Sequence, residues 1–460
     1  MATEIPGFRG LVLSAGDAAY DEARRIWNGA IDRRPAVIAR GLDHSDVAAA
    51  IRYGRERNLT IAVRGGGHGV GGAATVDGGL VIDLSAMRGV YVDAGTRRAW
   101  VGGGALWGDV DAATQVHGLA TVGGIVTHTG VGGLTLGGGL GWLMRAHGLA
   151  VDNLRSARLV TAEGEALSVS ETEHPELFWA LRGGGGNFGV VTSFEFALHP
   201  RGPVLAGPLV WPLEEAPALL RHYRDFIERA PDELATIVVL RHAPAVASLP
   251  PSVHGRPVCL IFVSWTGEHE AGERAIAPLR RFGRPLFDGI AARPYVEMQS
   301  SFDASAPHGW HSYWKSCQLP ALTDQTIDLL TEHAHRIESP RSYIIMFHMG
   351  GAVARVPEET TAYSQRAAVH NVNIDAVWLP AEEYRAEREP SWARAAYEAL
   401  GPHEVGVYVN FLGDEGQERV RSAYGEAKYR QLAEIKAKYD PENVFRLNQN
   451  IRPAVAPAHK

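Results

Sequence analysis

Short apolar runs punctuated by glycine and polar residues dominate the first part of the chain. Pro35 to Ala39, Thr60 to Arg64, Leu80 to Leu84 and Arg98 to Val101 concentrate aliphatic and β-branched residues over strand-like lengths. Tyr20 to Trp27 and Ser45 to Arg57 carry helical patterns, the second with Ser45 as its N-cap, and a third helix is predicted from Ala105 to His117. Ala157 to Thr161 and Ala166 to Val169 flank Glu163-Gly164, the signature of a hairpin. A short helix from His174 to Arg182 and a strand from Val190 to Leu198 follow. Beyond Pro200-Arg-Gly-Pro203 glycines thin out, and strands at Thr236 to Leu240, Val258 to Val263 and Tyr343 to Phe347 mix with a helix from Asp324 to Arg336. A strand over Gly406 to Phe411, a helix over Tyr424 to Tyr439 and a turn from Asp440 close the pattern, which is α+β.

At 460 residues the chain exceeds the size of a single core, so two lobes are expected. A formal charge of -7 and the lack of any Lys/Arg-rich run give no surface for nucleic acid. The first residues lack the pattern of a secretory signal, and no segment supplies about 18 consecutive uncharged apolar residues. The expectation is a cytoplasmic protein with no membrane partner. The two cysteines, Cys259 and Cys317, stand far apart with no Cys/His cluster, so they read as buried thiols and no metal site is expected. A pairing between them stays open.

The run Arg64-Gly-Gly-Gly-His-Gly-Val-Gly-Gly72 follows a predicted strand, and Gly67 to Gly72 formally match GxGxxG. The dinucleotide fingerprint needs a helix to open there, whereas Ala73 to Leu84 read as turn and strand. Consecutive backbone N–H groups can still cradle a diphosphate without a helix. Taken alone, the loop reads better as a tight turn with a histidine at its tip. Glycine clusters recur at Gly102 to Gly104, Gly123-Gly124, Gly130 to Gly133, Gly137 to Gly141 and Gly183 to Gly186, as a long ligand lying against backbone would require. No GxxxxGK[ST] loop, HExxH helix or GxSxG elbow is present.

Ala62-Val-Arg-Gly-Gly-Gly-His-Gly69, Thr129 to Leu143, His147 to Asn153 and Leu177 to Gly189 together resemble the FAD-linked oxidases of the vanillyl-alcohol oxidase superfamily. Tyr408-Val-Asn-Phe and Tyr439 to Ile451 extend the match to the end and place it in the berberine bridge enzyme-like branch. The resemblance implies a PCMH-type FAD-binding domain over residues 1–203, a substrate domain with a helix-covered antiparallel sheet over 204–405, and a returning segment over 406–460. It further implies covalent attachment of FAD through His68 to the flavin 8α-methyl carbon. The cysteine that gives many members a second bond is Val126 here, so one bond is expected.

On the same resemblance, Arg64, Gly65, Gly66, Gly67, Gly69, Val126, Thr129, Gly132, Gly133, Gly137, Gly138, Asn153, Gly189, Val190, Asn448 and Asn450 surround the cofactor. Tyr408 and Asn410 are expected on one side of a strand beneath the flavin, Tyr408 as the base that takes a hydroxyl proton during hydride transfer. His348 is a second candidate base; Ile344, Ile345 and Met346 on its strand offer no carboxylate. Trp142 and His147 either touch the ring or pack. The implied activity is an oxidase passing a hydride from a small organic or secondary-metabolite substrate to FAD and then to O2, giving H2O2. Two alternatives stay open, a flavin-dependent oxygenase of secondary metabolism and a catalytically silent flavin-binding protein. Substrate identity and oligomeric state are not legible.

Overall fold

The computed structural model describes residues 3–455. Three large β-sheets organise it, beside a two-stranded pair of Leu119–Ala120 with His199–Pro200. The first has strands in the order Leu11–Leu13, Val37–Arg40, Leu80–Asp83, Ile61–Arg64, the last three running parallel. Parallel strands need crossovers, and helix His44–Glu56 supplies one, packing Val47, Ala50 and Ile51 against Ile61, Leu80 and Ile82. Its N-cap is Asp43 rather than Ser45, because the Asp43 carboxylate accepts from the Ser45 and Asp46 N–H groups at 2.9 and 3.3 Å.

The second sheet is antiparallel, in the order Val90–Asp93, Arg98–Gly102, Val190–Ala197, Leu154–Val160, Ala166–Ser170. Its last pair is the expected hairpin, turning through Gly164 at φ +80°. Helices Gly416–Tyr424 and Glu426–Tyr439 return to this sheet's core, where Val420, Leu432 and Ile435 join Leu177, Phe178 and Phe188. The helix expected over Tyr424 to Tyr439 is found at Glu426–Tyr439, and Gly425, with φ +73°, separates it from the preceding helix Gly416–Tyr424. The helix expected over Tyr20 to Trp27 stops at Ala23; Arg24 bonds instead to Asp21 and Asp32.

The third sheet is eight-stranded and antiparallel, running from Phe287–Asp288 through Val204–Pro212, Pro257–Trp265, Leu234–His242, Tyr343–His348 and His370–Trp378 to His311–Leu319, with Ala291–Arg293 beside Val204–Pro212. Alternation divides its residues between two environments. Ile344, Met346, Val372, Ile374 and Ala376 pack under helices Ala216–Ile227, Asp324–His335 and Arg388–Leu400. Ile345 and Phe347 face the other way, onto Leu140, Trp142 and Tyr408 from the glycine-rich part. Cys259 and Cys317 are buried free thiols under the helices. No helix among the described residues is long and apolar enough to cross a membrane.

Candidate active site

A cavity of about 630 Å³ runs between the glycine loops and the open face of the eight-stranded sheet. That volume falls within the range of cofactor clefts, roughly 300–1,000 Å³. One wall is the loop after strand Ile61–Arg64. Arg64 itself does not line the cavity, contrary to expectation: its guanidinium bonds Asp83 at 2.6 Å and the Ala23 carbonyl, so it anchors the loop from behind. Gly65, Gly66, Gly67, His68 and Gly69 do line it. At Gly66 a Cβ would stand 2.4 Å from the Gly130 nitrogen, so only glycine lets the two loops meet backbone to backbone. No helix opens at Gly67 to Gly72; the next element is the strand Leu80–Asp83.

His68 stacks on Trp27 with ring centroids 4.4 Å apart and planes at 18°. Its Nε2 is shielded from solvent and has no hydrogen-bond partner. Burial, reinforced by His128 and His308, lowers its pKa to about 3, so the imidazole is neutral at any ordinary pH. Neutral imidazole nitrogen is the nucleophilic form.

Val126, Thr129, Gly132, Gly133, Gly189, Val190, Asn448 and Asn450 also line the cavity. Gly137 and Gly138 lie behind it, where a Cβ would collide with Asn410 and Tyr363 respectively. Asn153 is buried elsewhere, donating to the His147 and Leu149 carbonyls. Trp142 packs on Phe262 and Phe302, and His147 stacks on His199, so neither reaches the cavity. A group built from an isoalloxazine ring and a diphosphate suits such a donor set: bare backbone N–H groups for phosphate, and one unpartnered imidazole for the ring.

The strand expected over Gly406 to Phe411 is absent. Gly406 makes one isolated bridge to Gln318, and Val409–Phe411 then turn as a 3₁₀ segment. Tyr408 and Asn410 nonetheless meet, because the Tyr408 oxygen accepts from Asn410 Nδ2 and from the Gly139 N–H, both at 2.8 Å. Gly139 sits at φ +88°, which allows that N–H to point at the phenol. Two incoming donors occupy the phenol's lone pairs, and burial raises its pKa to about 12. Tyr408 therefore keeps its proton and can only donate it.

His348 does not reach the cavity. It is 3% exposed on the sheet's helix side of the Arg145 cluster, with Nδ1 at 2.8 Å from the guanidinium. The polar end of the cavity is formed instead by Tyr343, Asn373 and Asp375. Tyr343 and Asp375 are cross-strand partners, as are Ile345 and Asn373. The Asp375 carboxyl accepts from Asn373 Nδ2 and is hydrogen-bonded to the Tyr343 phenol. Arg241 lies 5.0 Å from the Tyr343 ring. Burial outweighs these partners and lifts the Asp375 pKa from 3.8 to about 7. Trp314, Ile345, Phe347 and Phe411 make the adjoining walls apolar.

Asp375 is thus the carboxylate that the neighbouring strand lacks. Its signal is present in His370-Asn-Val-Asn-Ile-Asp-Ala-Val-Trp378, where Asn371, Asn373 and Asp375 alternate with apolar residues on a strand whose residues are all buried.

Comparison with known proteins identifies the family. A family described as "FAD binding domain" matches residues 35–170, and one described as "Berberine and berberine like" matches 407–452. The chain is 35% identical over 471 residues to (R)-6-hydroxynicotine oxidase of Paenarthrobacter nicotinovorans, covering 98% of each protein. It is 41% identical over 203 residues to an FAD-dependent monooxygenase of Fusarium proliferatum, 44% of this chain and 39% of that protein. The crystal structure of 6-hydroxy-D-nicotine oxidase from Arthrobacter nicotinovorans superposes with a TM-score of 0.88 at 32% identity, covering 99% of this chain and all of that one. The chain belongs to the berberine bridge enzyme-like branch of the vanillyl-alcohol oxidase superfamily, and it is an FAD-dependent oxidoreductase.

Proposed function

We propose that this protein is an oxidase that carries FAD covalently on His68 and oxidises a small, largely apolar substrate bearing a hydroxyl or amine group, using O2 as the final acceptor. FAD, when bound, supplies the two-electron acceptor for a hydride. In this reading residues 1–203 and 406–460 hold the cofactor, and 204–405 cover the substrate. The observation that carries it is that one cavity holds both a neutral imidazole whose Nε2 has no partner and a buried carboxyl poised near pH 7.

Asp375 takes the proton from the substrate O–H or N–H, since a base works best with a pKa near the operating pH. Tyr343 and Asn373 orient that carboxyl. Tyr408 donates a hydrogen bond, and Trp314, Phe347 and Phe411 exclude water around the reacting carbon. The relatives named for 6-hydroxynicotine support a substrate with an aromatic ring and an amine. Resemblance of one segment to a monooxygenase supports a second reading, oxygen transfer to substrate.

Acid precipitation of the wild-type protein is expected to leave a yellow pellet, and His68→Ala to release all its flavin. A colourless wild-type pellet from flavin-loaded protein refutes the attachment. Anaerobic reduction followed by O2 is expected to yield one H2O2 per flavin; reoxidation in the presence of substrate without peroxide refutes the oxidase, and together with an oxygen atom from O2 in the product it supports the oxygenase.

A further inference from the structure

Three imidazoles lead from the cavity wall to the protein surface. The His68 ring centroid lies 5.1 Å from that of His128, and His128 lies 5.0 Å from His308. They come from separate elements: the loop after strand Ile61–Arg64, the segment before helix Val131–Leu136, and the segment after the 3₁₀ turn Ser300–Ser305. His128 is half-buried, and its Nδ1 is shielded with no hydrogen-bond partner, while His308 is exposed. Asp303 fixes the His128 segment by accepting from the Thr127 N–H at 2.8 Å and the Thr127 hydroxyl at 2.6 Å. Neither His128 nor His308 lines the cavity that holds Asp375 and Tyr408, so substrate oxidation leaves both without a role.

Bonding carbon to one nitrogen of a neutral imidazole makes the ring a cation until the proton on its other nitrogen departs. Around His68 that cation is disfavoured by burial. An acceptor for the proton is therefore needed, and His128 is the imidazole beside it.

We propose that His128 accepts the proton His68 loses when it bonds to the flavin, and that His308 hands it to solvent. The inference rests on His68 being the attachment point. The bond formed joins an imidazole nitrogen of His68 to the 8α carbon; the bonds broken are one C–H of that methyl group and the imidazole N–H. The methyl carbon is oxidised by two electrons, which pass through the ring system to O2. With the two protons released, O2 becomes H2O2. His128 is a positioning residue for this step, since it acts through His68. Protonated His128 accepts nothing, so attachment slows as pH falls. The charged and titratable groups facing His128 are His68, His308 and Asp303; burial and His308 lower its pKa, and Asp303 raises it.

The test uses full-length protein made under riboflavin limitation, loaded with FAD, and followed by flavin fluorescence of the denatured chain on a gel. His128→Ala is expected to bind FAD, to attach it about a hundredfold more slowly, and to lose the acid limb of the wild-type rate profile. Added imidazole should restore much of the rate, a rescue that a merely structural role would not show. His308→Ala should slow attachment less. His128→Ala attaching flavin at the wild-type rate overturns the inference, and so does a variant that binds no flavin, since His128 would then build the site rather than accept a proton. Wild-type protein that releases its flavin in acid overturns the His68 reading instead, which separates the two failures.

Discussion

Replacing Asp375 with Asn should raise stability and slow turnover together. The carboxyl is 2% exposed and its pKa stands at about 7 against an ordinary 3.8, a difference of about three units. At about 1.4 kcal/mol per unit, the buried carboxylate at pH 8 is disfavoured by up to ~4 kcal/mol relative to the unfolded chain. Because the folded pKa is raised, the stability that goes with protonated Asp375 is fully present below 3.8 and is lost as pH rises through about 7. Asn is neutral at every pH and keeps an oxygen to accept from Asn373. The variant should therefore gain a few kcal/mol at pH 8 and almost nothing at pH 4. Thermal unfolding of wild type and variant at both pH values measures this. The same substitution removes the base, so flavin reduction by substrate in a stopped-flow experiment should slow about a hundredfold or more. For the wild type, kcat/KM should fall below pH 7. A variant that is less stable at pH 8, or that keeps its reduction rate, refutes the assignment.

Tyr408→Phe strips the Gly139 N–H and Asn410 Nδ2 of their shared acceptor. It should cost about 1–3 kcal/mol of stability and slow reduction about tenfold, without moving the acid limb that belongs to Asp375; a shifted limb would make Tyr408 the base. Lys436, fully buried, donates to Asp440 Oδ2 and the Asn187 carbonyl, both at 2.6 Å, and to the Phe445 carbonyl at 2.9 Å. Lys436→Met removes the cation beside the buried Asp440 carboxylate and leaves it only the Val444 and Phe445 N–H groups, so it should cost about 3–5 kcal/mol and loosen flavin retention, since Asn187 lines the cavity. An unchanged unfolding midpoint would show that the pair contributes nothing.

The two kinds of residue in this site differ in how visible they are along the chain. His68 and the glycines are legible because backbone contact leaves a local mark: where loops touch, as at Gly66 and Gly130, no other residue fits, and the clusters repeat. Asp375 leaves only the alternation of Asn371, Asn373 and Asp375 with apolar residues, which marks a strand and not a base. It acts because Tyr343, across the register of two strands, and Arg241, on a third, meet it in a closed space, and that register belongs to the sheet rather than to any window of sequence. Tyr408 and Asn410 stand between these cases. Their residue types point to the cavity, yet the strand expected to align them is a 3₁₀ turn, and hydrogen bonding to Gly139 does the aligning. His348 misleads for the same reason: alternation along Tyr343–His348 puts Tyr343, Ile345 and Phe347 on the cavity side, leaving His348 to Arg145. Cofactor contact in this protein is a property of short stretches of chain, whereas substrate chemistry depends on which residues the large sheet sets side by side. The glycine loops therefore constrain the cofactor and leave the proposed base on strand His370–Trp378 to be set by the sheet alone.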